Sequence, residues 1–427
     1  MRGVLFGVVC SMVLLVSGCS GSESLEPCRD KLGCVDVAPE GSVRIAAIQV
    51  LSGGIQLGGV NQVRAIQMAL DARGGRMLGH PLALEVEDGR CSKEGGRVAA
   101  QKIAADPGVV GVLGATCSSS SAAAAKVLSE AGMVLVSASS TAPSLTAMGG
   151  VPGADRQPGF FRTIHNDAVA GAVAAAYVRK SLGLARAGVV HDGGPYGQGL
   201  SGAFRDAMSR LGGETVLVAE VGKDDEDMGP VLAAVEESRA DVLFFPLFRP
   251  ASIRLLRQIR QAKGLDRTVL LSSDASFAAA FFREAGQLAQ GLLFVLPFTP
   301  ESGNKDAFEA EYVRRYGEPP VGIFHAYAYD AANLLLDAIA GVAVSTPQGG
   351  LRIGRQALRD ALHRVAGYHG LTGVLTCDSF GDCGVPRFKV VRVDDPEAGI
   401  ESAATNVHYV YDPEQPSAEP SRGGGPS

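Results

Sequence analysis

From Val43 onward the chain repeats one pattern: a short, nearly uninterrupted apolar run, then a stretch with apolar residues at helical spacing, then another apolar run. RIAAIQV, LALEV, VVGVL and MVLVS are the first such runs. Between them, GGVNQVRAIQMALDARGG sets Val63, Ile66 and Leu70 on one helical face, and further helices are expected over 94–105 and 122–131. A second series starts near Asn166, with AGVV (187–190), TVLVAEV (215–221), DVLFF (241–245), TVLLS (268–272) and GLLFVL (291–296). Strands apolar on both faces need cover on both, and helices inserted between consecutive strands provide it on a parallel sheet. The pattern predicts an α/β chain of two lobes, each a doubly wound parallel sheet. Residues 300–365 read as mostly helical, with PPVGIFHAYAYDAANLLLDAIAGV as the longest helix, opened by Pro319 and Pro320.

The segment before this pattern carries the marks of export. Arg2 precedes the apolar run VLFGVVCSMVLLV, and Val16-Ser17-Gly18-Cys19 closes it with small residues, as in a signal peptide over 1–18. The run is roughly 14 residues long, too short to span a bilayer. A cysteine directly after Ser-Gly resembles a bacterial lipobox. That resemblance implies cleavage before Cys19, lipidation of its thiol, and a membrane-anchored lipoprotein in the periplasm or at the cell surface. Residues 19–42 then form the lipidated N-terminus and a polar tether. Residues 396–427 read as a C-terminal extension, disordered from about 413, where Pro, Gly and Ser accumulate.

Of the eight cysteines, Cys10 is lost with the signal and Cys19 goes to lipid. The other six form three local pairs, Cys28 with Cys34, Cys91 with Cys117, and Cys377 with Cys383, which suits an oxidising compartment. No pair has zinc-site spacing, so no metal is expected. The net charge is −6 with both signs scattered, and no Lys/Arg run could neutralise several phosphates, so nucleic acid is excluded as a partner.

In open α/β sheets, ligands bind outside the carboxyl ends of the strands. Those ends carry Ser52-Gly53-Gly54, Thr116-Cys117-Ser118-Ser119-Ser120-Ser121 and Ser137-Ala138-Ser139-Ser140-Thr141 in the first series. In the second they carry His191-Asp192, Pro246-Leu247-Phe248 and Ser273-Asp274. The serine run also opens a helix, whose free N–H groups and dipole favour an anion. An anion site facing the Asp274 carboxylate suits a zwitterion such as a free amino acid. Isolated serines would be read as N-caps; two hydroxyl-rich strand ends in one lobe favour a binding role.

GATCSSSSAAAAKVLSEAGMVLVSASSTAPSLT resembles the ligand-binding signature of leucine/isoleucine/valine-type periplasmic binding proteins, the substrate-binding proteins of ABC transporters. FRTIHND resembles their first crossing between lobes, and VVHDGGPYGQGL their second-lobe loop with a ligand-facing tyrosine. The resemblance runs from Val43 to about Val393. It implies a type I periplasmic-binding-protein fold, with lobe 1 at 43–163 plus 299–376, lobe 2 at 164–298 plus 377–395, and three crossovers. Carried over by position, Ser118 holds a carboxylate, Ser139 offers a carbonyl and Thr141 a hydroxyl to an ammonium. Asp274 is the acidic ammonium partner, Tyr196 closes over the ligand and Phe248 lines the pocket. The resemblance further implies delivery of an amino acid to ABC permease subunits, with no cofactor and no catalysis. A sensor of amides, urea or other small solutes is the alternative. Two departures stand out: Gly58 falls where branched-chain members have an aromatic, and Asp274 is one methylene shorter than their Glu.

Two further readings come from spacing. If LALEV and VVGVL are neighbouring strands, about 4.8 Å apart, their ends bring Cys91 and Cys117 into bonding range. Gly197 to Gly202 matches G-x-G-x-x-G with Glu220 downstream, but six residues separate the preceding strand from the first glycine, where a dinucleotide fingerprint turns at once.

Overall fold

The computed structural model describes residues 27–414. The expected signal peptide, Cys19 and the tail beyond Glu414 lie outside the described residues. Among the described residues no helix is long and apolar enough to cross a membrane.

The first lobe is built on a six-stranded sheet. Val43–Gln49 lies inside it, flanked in parallel by His80–Asp88 and Val109–Gly114, with Leu135–Ser137 and Phe160–Arg162 beyond. Val43–Gln49 and Val109–Gly114 are buried on both faces almost throughout, which is why they read as continuous apolar runs. Helices Gln56–Ala72 and Phe324–Val342 pack together over one face, and Lys93–Ala104 and Ser118–Glu130 over the other. The second lobe has seven strands: Glu214–Glu220, Arg186–His191, Val242–Phe244, Val269–Ser273 and Leu293–Pro297 run parallel, and Phe388–Arg392 and Val407–Tyr411 close the edge antiparallel. The sixth strand of the first sheet, Arg76–Met77, is a short antiparallel edge. In both lobes the first strand sits between the next two parallel strands of the chain. The strand order therefore reverses there and opens a crevice at the carboxyl ends.

Several boundaries differ from the sequence reading. LALEV and VVGVL are not neighbours, because Val43–Gln49 lies between them. Cys91 and Cys117 are nonetheless joined, with Cα atoms 5.2 Å apart. The turn after His80–Asp88 folds back over the central strand, where the Gly89 N–H donates to the Gln49 carbonyl at 2.8 Å, and delivers Cys91 to the serine helix. The expected tether is partly folded. Cys34–Val37 pairs antiparallel with Leu351–Gly354 and buries Val35 and Val37. Asp30 caps the helix Arg355–His363, accepting from the Gln356 and Ala357 N–H groups at 2.9 and 3.0 Å. Cys28 and Cys34 are joined within this folded segment.

At the other end, residues 396–411 are not an extension: helix Gly399–Thr405 buries Ala403 in the second lobe's core, and Val407–Tyr411 is its edge strand. Cys377 and Cys383, joined to each other, pack in the first lobe's core, so the chain returns to the second lobe at Phe388 rather than at 377. The longest helix starts at Phe324, not at the proline pair, because Gly322 adopts a left-handed conformation (φ +75°) that a helix cannot continue through.

Two of the crossings lie side by side. A Cβ at Gly384 would stand 2.1 Å from the Thr163 carbonyl oxygen, so only glycine permits that approach. Beside them Arg162 is fully buried. It pairs with Asp382 and donates to the carbonyls of Ser140 and Ala142 at 3.0 and 2.9 Å and to the Thr146 hydroxyl. This one side chain ties the hydroxyl-rich loop of the first lobe to the crossings. Burial alone would raise the Asp382 carboxyl, but the Arg162 guanidinium holds it below its ordinary value.

Candidate functional site

The serine helix opens where Val109–Gly114 ends, and its four serines separate in role. Ser119 donates to the Cys91 carbonyl at 3.3 Å, Ser120 to the Gly89 carbonyl at 2.8 Å, and Ser121 lies 2.8 Å from the Ser140 hydroxyl. These three bind the helix to its own lobe. Ser118 alone lines the cavity between the lobes. Its oxygen accepts from the Ala142 N–H at 3.2 Å, which leaves its proton for a ligand. Cys117 occupies the N-cap position and makes no side-chain cap bond, since its sulfur is committed to Cys91. The first turn thus has no side-chain cap, and it opens at Cys117 and Ser118, both of which line the cavity.

The disulfide braces this turn. Replacing Cys91 and Cys117 with serine should lower stability by about 3–4 kcal/mol, from the entropy of a loop of that length in the unfolded chain. Opening the shorter Cys377–Cys383 loop should cost about 2 kcal/mol on the same basis. Urea unfolding of the two double variants checks the order.

The opposite wall comes from three strand ends of the second lobe. Helix Pro195–Arg210 starts after Arg186–His191 with proline in its first turn, and Tyr196, the next residue, lines the cleft. Phe248 follows Val242–Phe244 and packs against the Tyr196 ring, with centroids 5.0 Å apart. Asp274 follows Val269–Ser273. The Tyr196 hydroxyl donates to Asp274 Oδ1 at 2.7 Å and lies 2.8 Å from the Ser273 hydroxyl. Ser276 donates to the Leu247 carbonyl at 2.6 Å and so stitches the Asp274 turn to the Phe248 loop. Burial, with the neighbouring Asp167 carboxylate, pushes Asp274 up to about 6, and burial raises the Tyr196 phenol well above its ordinary value.

Ser118, Ser139, Tyr196, Phe248 and Asp274 therefore converge on one cavity of about 130 Å³. Ser139 donates its hydroxyl to the Thr116 carbonyl at 2.9 Å, and its oxygen lies 3.1 Å from the Gln62 side chain. Thr141 does not reach the lining. It is buried, and its hydroxyl donates to Asp167 at 2.6 Å.

Sequence reasoning missed the rest of the wall. Ile55, Leu57, Phe277, Phe281 and Phe324 make most of it apolar and aromatic. Phe277 and Phe281 lie only a few residues beyond Asp274, so following that strand end further would have found them; nothing local marks Phe324. Arg249 was also missed. It lines the cavity from the second lobe, lies 3.4 Å from Glu284, and donates across the cleft to the Gly54 carbonyl, in the loop where the expected aromatic is absent.

The remaining candidates have structural roles. His191 accepts from the Gly193 N–H at 3.0 Å. Among the described residues no His/Cys/Asp/Glu group could hold a metal ion.

The sequence profile of periplasmic binding proteins matches residues 42–394. The chain belongs to the periplasmic binding protein family. It is 27% identical over 364 residues to Leu/Ile/Val-binding protein homolog 3 of Brucella melitensis, covering 84% of this chain and 94% of that one. It is 26% identical to the Leu/Ile/Val-binding protein of Escherichia coli K12, over 71% of this chain and 82% of that one. Among solved structures, the leucine-binding protein LivK of Thermotoga maritima superposes with a TM-score of 0.74 at 25% identity, covering 87% of this chain and 99% of that one. A Rhodopseudomonas palustris solute-binding protein in complex with benzoate superposes at 0.68 with 17% identity, covering 82% and 93%, and shares the fold alone. The expected type I periplasmic-binding-protein fold is thus present, and the family is one of substrate-binding proteins.

Proposed function

We propose that this protein captures an apolar α-amino acid of the branched-chain type in the cleft between its lobes and delivers it, outside the cytoplasm, to an ABC importer. One observation carries the reading: groups that would suit the two ends of a zwitterion stand on opposite lobes of one cavity, with apolar surface between them. The uncapped amides of the serine helix and the Ser118 hydroxyl take the carboxylate. Asp274, held by Tyr196, takes the ammonium. Phe248, Phe277, Phe281, Ile55 and Leu57 surround the side chain. Relatives named for leucine, isoleucine and valine binding support the same class. Gly58 in place of an aromatic leaves room on the first-lobe side and extends the acceptable side chains towards larger ones. Cys19, as a lipid anchor, would hold the protein beside the permease.

Calorimetric titration with the twenty amino acids, leucinamide and benzoate tests the proposal. Leucine, isoleucine or valine should bind in the micromolar range or tighter. Leucinamide, which lacks the carboxylate, should bind far more weakly. Benzoate binding with no amino-acid binding would overturn the reading, because benzoate offers nothing to Asp274.

A further inference from the structure

The glycine run Gly197 to Gly202 lies beside the cavity, and its second glycine faces the other lobe. A Cβ at Gly197 would approach its own loop, 2.6 Å from Asp192 Oδ1, while Gly202 has nothing within 4 Å. A Cβ at Gly199 would stand 2.6 Å from Cδ of Pro143. Gly199 lies in helix Pro195–Arg210, whose Leu200 and Phe204 are fixed in the second lobe's core. Pro143 opens the turn Pro143–Leu145, and the flanking Ala142 and Leu145 are fixed in the first lobe's core. The contact therefore crosses from lobe to lobe, and neither residue lines the cavity. Both partners are rigid: one is helix backbone and the other a pyrrolidine ring, so neither can swing aside as a long side chain would. A methyl group at 199 is accommodated only when the lobes part.

We propose that Gly199 and Pro143 form the seat on which the two lobes close, and that they set ligand affinity without touching the ligand. A ligand held by both lobes binds tightly only to the closed form, so its apparent affinity scales with the fraction of molecules that can close. A side chain at 199 lowers that fraction and leaves each lobe intact. Alanine is also a better helix former than glycine, so the lobe carrying it loses nothing when the cleft is open. The two effects have opposite signs, and this separates a closure contact from ordinary packing.

The proposal rests on the cleft as an amino-acid site, and the experiment separates the two. L-Leucine is titrated into wild type, Gly199→Ala, Pro143→Ala and the double variant. Gly199→Ala should bind 10- to 100-fold more weakly, with a melting temperature without leucine equal to or above that of wild type. Adding Pro143→Ala should restore most of the affinity. Unchanged affinity in Gly199→Ala, a lowered melting temperature without leucine, or no rescue by Pro143→Ala would each overturn the proposal. Nitroxides on Lys126→Cys and Arg205→Cys, both exposed and on the facing helices, report lobe separation without any ligand. Gly199→Ala should shift that distance distribution to larger values, and identical distributions would overturn the closure seat. If wild type binds no leucine, the amino-acid reading fails, while the label distances still decide the closure proposal.

Discussion

Asp274→Asn should weaken amino-acid binding by roughly 30- to 5,000-fold, the 2–5 kcal/mol typical of removing one partner of a buried charge pair. The amide keeps the shape and can still accept from Tyr196, so the fold should be unaffected. What is lost is the counter-charge for a buried ammonium. Ser118→Ala should cost less, because the uncapped N–H groups of the serine helix still hold the carboxylate. The pH dependence provides an independent check. Asp274 titrates near 6, raised by burial and by Asp167. An ammonium needs the ionised form, so affinity should fall about tenfold per pH unit as the pH drops below 6. Asp274→Asn should lose this dependence. Without ligand the sign reverses: between about 6 and 4 the folded state retains a proton that the unfolded chain has released. In that window Asp274 adds to stability as pH falls and subtracts as pH rises. Titration calorimetry and urea unfolding across about pH 4–8 measure the two slopes. Tight leucine binding by Asp274→Asn would mean that the pocket does not read an ammonium.

Arg162→Met should lower stability by about 3–5 kcal/mol. The substitution leaves the largely buried Asp382 without its cation and frees the fully enclosed carbonyls of Ser140 and Ala142. It should also weaken leucine binding, although Arg162 never reaches the cavity, because the loop carrying Ser139 loses its anchor. Adding Asp382→Leu removes the uncompensated charge and should recover part of the stability but not the binding, since the loop carbonyls stay unpaired. Equal urea midpoints for wild type and Arg162→Met would show that the ion pair contributes nothing to the fold.

Much of the site was legible before any tertiary contact was known. Apolar runs mark where strands end, and in parallel sheets all those ends lie along one edge. Ser118, Ser139, Tyr196, Phe248 and Asp274 could therefore be placed on a common rim from spacing and resemblance. Thr141 came from the same reasoning and does not line the rim, because Asp167, on the helix after the first crossing, claims its hydroxyl. That contact spans 26 positions and leaves no local trace. Arg249 and Phe324 were invisible for a similar reason. One bridges a cleft to a loop 195 positions away, and the other reaches the cavity from the first turn of a first-lobe helix that starts later than its prolines indicate.

The sequence by itself determined the class of fold, the two lobes, the cysteine pairs and the rim of strand ends. The fold class, the lobes and the cysteine pairs follow from burial periodicity or spacing, and the residues of the rim from spacing together with resemblance, all of which a chain carries residue by residue. Tertiary structure alone decided the order of strands, and with it that Cys91 reaches Cys117 over an intervening strand rather than from a neighbouring one. It also drew residues 34–37 and 407–411 into sheets, where a polar or short segment gains its partners only from strands far along the chain. And it decided which serine of four faces the cleft. The physical reason is common to all of these: apolar patterning states that a residue is buried, whereas the identity of what buries it depends on long-range packing that no local pattern records.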